Sequence, residues 1–156
     1  MSFDPQTVRI LLVEDTAVMR KIEKKALEAL GYAHILEAVD GQEAIDMLQQ
    51  GAEVDLIISD WNMPNLDGYA LLCRVKGDAA TRQIPFLMAT GQGDKAQENK
   101  ALEAGVNAFV AKPFNEAELS AKIDEALGRS EGPEAAAEQI RGPRESVDGR
   151  VKLKVA

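Results

Sequence analysis

The sequence predicts an α/β protein in which helices cover both faces of a parallel sheet. Three observations lead there. Short aliphatic runs alternate five times with stretches of helical period over roughly 120 residues. The aliphatic runs are apolar at nearly every position, as strands buried on both faces require. Glycines and capping acids punctuate the boundaries between the two kinds of stretch.

In chain order, residues 8–13 form the first aliphatic run, β1. Residues 17–30 follow as α1, with Met19, Ile22, Ala26 and Leu30 on one face and Gly31 as its stop. Residues 35–39 are a weaker strand, β2. Asp40 then caps α2, which runs through residue 48, with Glu43 placed to complete a capping box. Residues 54–59 are β3, 68–76 are α3 and 85–89 are a short β4. Residues 95–104 are α4, closed by Gly105, and 108–111 are β5. Asn115 caps α5 with Glu118 in a second box, and the stripe Leu119, Ile123, Ala126, Leu127 runs to Gly128. Right-handed crossovers join such units. The strand order expected is the flavodoxin-like, doubly wound 2-1-3-4-5, an expectation that leans on the resemblance described below.

Composition narrows the partners. The chain of 156 residues is 46% apolar but only 4% aromatic, so its core is aliphatic. Its net charge is −8, and residues 129–156 hold six of the 18 basic and five of the 26 acidic residues. That leaves 12 against 21, or −9, on residues 1–128. So acidic a body argues against nucleic acid or an anionic membrane as partner and suits divalent cations or basic proteins. The first apolar run is too short for a signal peptide or a membrane span, so a cytoplasmic protein is expected. Cys73 is the single cysteine, placed on the outward side of α3 by Leu71, Leu72 and Val75, and reads as an incidental surface thiol. Residues 1–128 are expected to be the domain. Residues 129–156 carry Gly132-Pro133 and Gly142-Pro143 breaks and too little apolar material for a second core, so a disordered tail is expected. Within it, Val151, Leu153 and Val155 alternate with Arg150, Lys152 and Lys154, a pattern able to add a strand to a sheet edge.

The chemistry lies where the strands end. β1 is followed by Glu14-Asp15, β3 by Asp60, β4 by Thr90 and β5 by Lys112. In the expected order these ends are neighbours, about 5 Å apart strand to strand, at the edge where open α/β sheets bind ligands. Three carboxylates so close repel unless a cation sits among them. Lys112 offsets one charge, and Mg²⁺, held by carboxylates and water, offsets more. None of these five residues is His, Cys or Ser, so a carboxylate is the available nucleophile among them, and Asp60 reads as a phosphoryl acceptor.

These residues carry a resemblance. Glu14-Asp15, Asp60 with Met63-Pro64 and Gly68, Thr90, and Lys112-Pro113-Phe114 resemble the response-regulator receiver domain over residues 7–128. SDWNMPNLDG is most similar to its chemotaxis, CheY-like branch. The resemblance implies that Asp60 takes a phosphoryl group from a histidine kinase. It implies that Asp15, Asp60 and the Asn62 carbonyl bind Mg²⁺ directly, and Glu14 through a bound water. Thr90 and Lys112 would contact phosphoryl oxygens, Gly91 would leave room for the group, and Asn62 and Gln92 would tune its hydrolysis. Lys112-Pro113 would be cis. Phe109 would be the switch aromatic, here without the Tyr hydroxyl common in the family, and Glu14 stands where Asp is commoner. The implied protein is a monomeric switch that binds a target through its α4-β5-α5 face, catalysing only its own phosphorylation and dephosphorylation.

Three alternatives compete with this reading. A phosphorelay intermediate would pass the phosphoryl group to another histidine. A Mg²⁺-dependent aspartyl-phosphate phosphatase would want a second acid two residues after the nucleophile, where Asn62 stands. A flavin or nucleotide module would want a Gly/Ser/Thr-rich loop after β1, where EDTAVMR stands. His34, the single histidine, reads as an ordinary surface residue. Arg20, Lys21, Lys24 and Lys25 read as a solvated basic face of α1 or as part of a kinase-docking surface.

Overall fold

A computed structural model describes residues 4–91 and 95–128, together with the backbone of residues 145–147 and 151–152. The aliphatic runs pair as strands because a layer between two sets of helices must be apolar on both sides. β1 (Arg9–Val13), β3 (Leu56–Asp60) and β4 (Phe86–Thr90) are buried along almost their whole length. β2 (His34–Ala38) and β5 (Ala108–Ala111) lie at the two edges and are partly exposed. The order is β2-β1-β3-β4-β5 and every pairing is parallel, as expected.

Among the described residues, five helices cover the sheet: α1 (Ala17–Ala29), α2 (Gly41–Gln49), α3 (Gly68–Lys76), α4 (Lys95–Ala104) and α5 (Glu116–Leu127). Alternate strand residues feed two separate cores. Ile10, Leu12, Leu56, Ile58 and Leu87 meet Leu27 of α1 and Leu119, Ile123 and Ala126 of α5 on one face. Leu11, Val13, Ile57, Phe86 and Met88 meet Ile45, Leu71, Leu72, Val75 and Ala101 of α2, α3 and α4 on the other.

Three local details depart from the sequence reading. The expected stripe of α1 is rotated. Ile22 is 54% exposed, whereas Glu23 and Leu27 are buried. The cause is polar: Arg20 donates to Glu14 O at 2.7 Å and to Glu37 at 3.1 Å, and Lys24 donates to Glu37 at 3.0 Å. These bonds fasten that flank of α1 to β2 and turn Glu23 towards the sheet. The second detail is the start of α2. Asp40 accepts from Glu43 N at 2.8 Å, but the Glu43 carboxylate reaches past Asp40 to Val39 N at 2.7 Å. The box of α5 is complete, as expected. Third, β3 starts at Leu56 and ends on Asp60 itself. The Asp55 carboxylate accepts from Arg9 N at 2.8 Å and Nε at 3.1 Å, closing the lower end of the sheet before the strand begins.

Among the described residues no helix is long and apolar enough to cross a membrane. β6 (Glu145–Val147) and β7 (Val151–Lys152) pair antiparallel with each other in a separate two-stranded sheet, with Val151 in register with Val147 and not paired to an edge of the main sheet. The rest of 129–156, and with it the expectation of a disordered tail, lies outside the described residues.

Candidate functional site

β1, β3, β4 and β5 stand side by side, so their C-terminal ends open into one cleft. The ladder carries Glu14 one residue past β1, its N–H donating to Ala38 O at 3.0 Å. Strand alternation then separates the acid pair. Glu14 turns inward and is 1% exposed, while Asp15 faces solvent. Asp60, the last residue of β3, is half-buried, and its Oδ1 accepts from Trp61 N at 2.9 Å. Carboxylate oxygens of Glu14, Asp15 and Asp60 lie within 4.8 Å of one another. The three predicted acids therefore do share one site.

Lys112 answers them. Its Nζ is 3.3 Å from Glu14 Oε1 and 3.4 Å from Asp60 Oδ1. Lys112 N donates to Thr90 O at 2.6 Å, and the Lys112-Pro113 bond is cis, as expected. Burial lowers the lysine's affinity for its proton, but the charges of Asp60, Glu14 and Glu23 outweigh this and hold it above the usual value. Burial pushes the Glu14 carboxyl up, and the charge of Asp60 adds to the effect. The Thr16 N–H and Lys112 oppose it.

Thr90 is buried at the end of β4 beside Asp60, whose register partner is Ala89. Gly91 faces open space, since a Cβ there would meet nothing within 4 Å. Asn62 is exposed just beyond Asp60. The loop carrying it is held from both sides. Trp61 is buried and stacks on Tyr69 at 5.7 Å, with Lys100 Nζ 4.4 Å above the Tyr69 ring. Asn65, at φ 67°, donates to Asp40 at 2.6 Å. Gly68 opens α3 so close to the strand that a Cβ would stand 2.9 Å from Trp61 Cα, so only glycine fits. Phe109 is half-buried on β5 opposite Met88. Gln92 lies outside the described residues.

His34 pairs with Arg9 at the far end of the sheet, and Cys73 is exposed, so neither enters the cleft. One residue in the cleft went unread in the sequence. Glu23 of α1 is 5% exposed, with its Oε2 3.9 Å from Lys112 Nζ. Burial, reinforced by the charge of Glu14, pushes its carboxyl up to about 7, against the pull of Lys112. The available signal was the spacing of Glu23, Leu27 and Leu30, which makes a second stripe with an acid at a core position.

A doubly wound sheet thus gathers three acids, a hydroxyl and a lysine at neighbouring strand ends. The chain belongs to the response regulator receiver domain family, whose sequence model matches residues 10–124. It is 40% identical to chemotaxis protein CheY1 of Helicobacter pylori over 124 residues, 80% of this chain and 100% of that one. Chemotaxis protein CheY4 of Vibrio cholerae has a similar structure, with TM-score 0.71 and 29% identity over 77% of this chain and 98% of that one. So does the receiver domain of a sensor histidine kinase from Pseudomonas aeruginosa PAO1, with TM-score 0.69 and 30% identity over 78% of this chain and 98% of that one. That domain holds a magnesium ion coordinated in its active site cleft.

Proposed function

We propose that the protein is a phosphorylatable switch of a chemotaxis-type two-component pathway. On this reading it accepts a phosphoryl group on Asp60 from the phosphohistidine of a kinase and signals by protein contact. The observation that carries the reading is the meeting of Glu14, Asp15 and Asp60 within 4.8 Å, with Lys112 at 3.4 Å from Asp60.

This donor set fits Mg²⁺. It is all oxygen, and it holds three acids against one lysine. Asp15, Asp60 and the Asn62 carbonyl would hold the ion, with Glu14 acting through water. Bound there, Mg²⁺ would neutralise charge on the transferring group. The chain's own residues do the rest. An Asp60 carboxylate oxygen forms the bond to phosphorus as the phosphorus–nitrogen bond to the donor imidazole breaks, and the imidazole leaves with the electron pair and takes a proton from solvent. Thr90 and Lys112 receive the phosphoryl oxygens. Asn62, exposed at the cleft mouth, sets the access of water to the acyl phosphate. The α4-β5-α5 face meets a target protein in the cytoplasm, and the one reaction catalysed is the protein's own phosphorylation and dephosphorylation.

The test is intact-mass analysis after treatment with acetyl phosphate or phosphoramidate and Mg²⁺. One phosphoryl group should appear on the native chain and none on Asp60→Ala. Equal labelling of the two would refute the assignment.

A further inference from the structure

Among the described residues, Glu23 is a buried acid beside Lys112 that neither the metal site nor the acceptor accounts for. It projects from α1 and is 5% exposed, one turn before the buried Leu27. An acid placed there without purpose would be costly, since burial favours its uncharged form. Its geometry is specific: Oε2 is 3.9 Å from Lys112 Nζ, on the α1 side of the ammonium. Glu14 Oε1 at 3.3 Å and Asp60 Oδ1 at 3.4 Å complete the set of carboxylates around the same nitrogen.

An ammonium has three protons to donate and pairs with carboxylates as a point charge. Lys112 has three carboxylate partners before any phosphoryl group arrives. A phosphoryl group on Asp60 adds oxygens that need the same ammonium. An ionised Glu23 then pulls Lys112 away from the incoming group and adds a negative charge behind it. A neutral Glu23 does neither.

We propose that Glu23 is a positioning residue for Lys112: as a carboxylate it draws the ammonium towards α1, in competition with the group bound at Asp60, and so sets how tightly Asp60 holds a phosphoryl group. The inference rests on Asp60 being the acceptor. It makes phosphoryl affinity depend on pH, because the charge of Glu23 depends on it. The groups that bear on that charge are Glu14 at the end of β1, Lys112 after β5 and Asp60 of β3. The carboxyl is pushed up to about 7 by burial first and then by Glu14, so its charge changes near neutrality. The single histidine, His34, pairs with Arg9 at the opposite end of the sheet and cannot supply the same effect.

The probe is the trifluoroberyllate anion, which adds to a carboxylate as a phosphoryl group does and does not itself titrate near neutrality. Its affinity for the full chain at saturating Mg²⁺ is read from the fluorescence of Trp61, whose N–H contacts Asp60. The native protein should bind it about fivefold more tightly at pH 6 than at pH 8, the effect of losing one repelling charge at a partly open site. Glu23→Gln should bind with the tight affinity at both pH values. Glu23→Leu, which suits a buried helix face, should do the same and guards against misfolding of the amide variant. A change in packing alone would shift affinity equally at both pH values, whereas the proposal requires the pH dependence to vanish. If native and variant proteins show parallel pH profiles, Glu23 does not position Lys112, and the acceptor reading stands. If the anion binds neither the native protein nor the variants, the acceptor reading falls and this inference with it.

Discussion

Glu23 and Asp15 carry the same formal charge and face opposite surroundings, so replacing them by their amides should have opposite consequences. Glu23 is buried and its carboxyl is pushed up to about 7 from an ordinary value of 4.5. Between those values the folded protein keeps a proton that the unfolded chain has lost. Stability therefore falls as pH rises through that window, and above it the full cost applies. A displacement of that size is worth about 3 kcal/mol. Glu23→Gln should be more stable than the native protein at pH 8 by about 3 kcal/mol and close to it near pH 4.5. Urea melts at both pH values decide this, and a gain that is equal at both would show that burial of charge is not the cause. Asp15 is exposed, so water already screens it and its amide should change metal-free stability little. What Asp15→Asn should lose is the response to millimolar Mg²⁺, because an ion that binds only the folded state stabilises it by mass action. A full Mg²⁺ response in that variant would remove Asp15 from the ligand set.

Elements differ in how much of them a sequence reveals, and α1 shows where the limit lies. β1, β3 and β4 were legible because an aliphatic run has one stable placement, buried on both faces. Asn115 with Glu118 was legible because a cap and its box are local chemistry. The face that α1 turns inward was not, since two stripes compete: one through Ile22, the other through Glu23 and Leu27. Hydrophobicity alone favours Ile22. The bonds of Arg20 and Lys24 to Glu37 decide otherwise, and those partners lie 17 and 13 residues away. The acids and lysine at the strand ends were legible as soon as the strand order was granted, whereas Glu23 enters the site from a helix, where strand-end logic does not reach. The rotation is testable. Leu27→Ala should cost about 2–5 kcal/mol, as truncations in well-packed cores do. Ile22→Ser, at a 54% exposed position, should stay within about 0.5 kcal/mol. A large loss from Ile22→Ser would restore the original stripe.

Across the whole molecule, the proposed acceptor site and the α4-β5-α5 face are joined by one pair of neighbouring strands. β4 and β5 run in register, with Met88 opposite Phe109 and Thr90 opposite Ala111. Residues two apart on a strand share a face, so Thr90 and Phe109 lie on the same side of the sheet, the side covered by α3 and α4. Thr90 is buried at the cleft, and Phe109 is half-buried against the core that contains Met88 and Ala101. A hydroxyl drawn towards a phosphoryl group on Asp60 vacates volume on that face, and a close-packed core favours filling it with a neighbouring ring over leaving a void. Phe109 offers a ring on that face. It has no hydroxyl to anchor an inward position, so packing must hold that state and its population should follow the fit of the side chain. Phe109→Ala removes the ring without touching an acid, the lysine or Thr90. It should therefore leave phosphorylation of Asp60 near normal while weakening capture of the target by the phosphorylated form. Phe109→Leu, smaller but still apolar, should fall between the two. Phosphorylation by acetyl phosphate and binding to the target are measured on the same preparations. If Phe109→Ala loses phosphorylation and binding together, the ring serves the site itself and not the coupling between site and face.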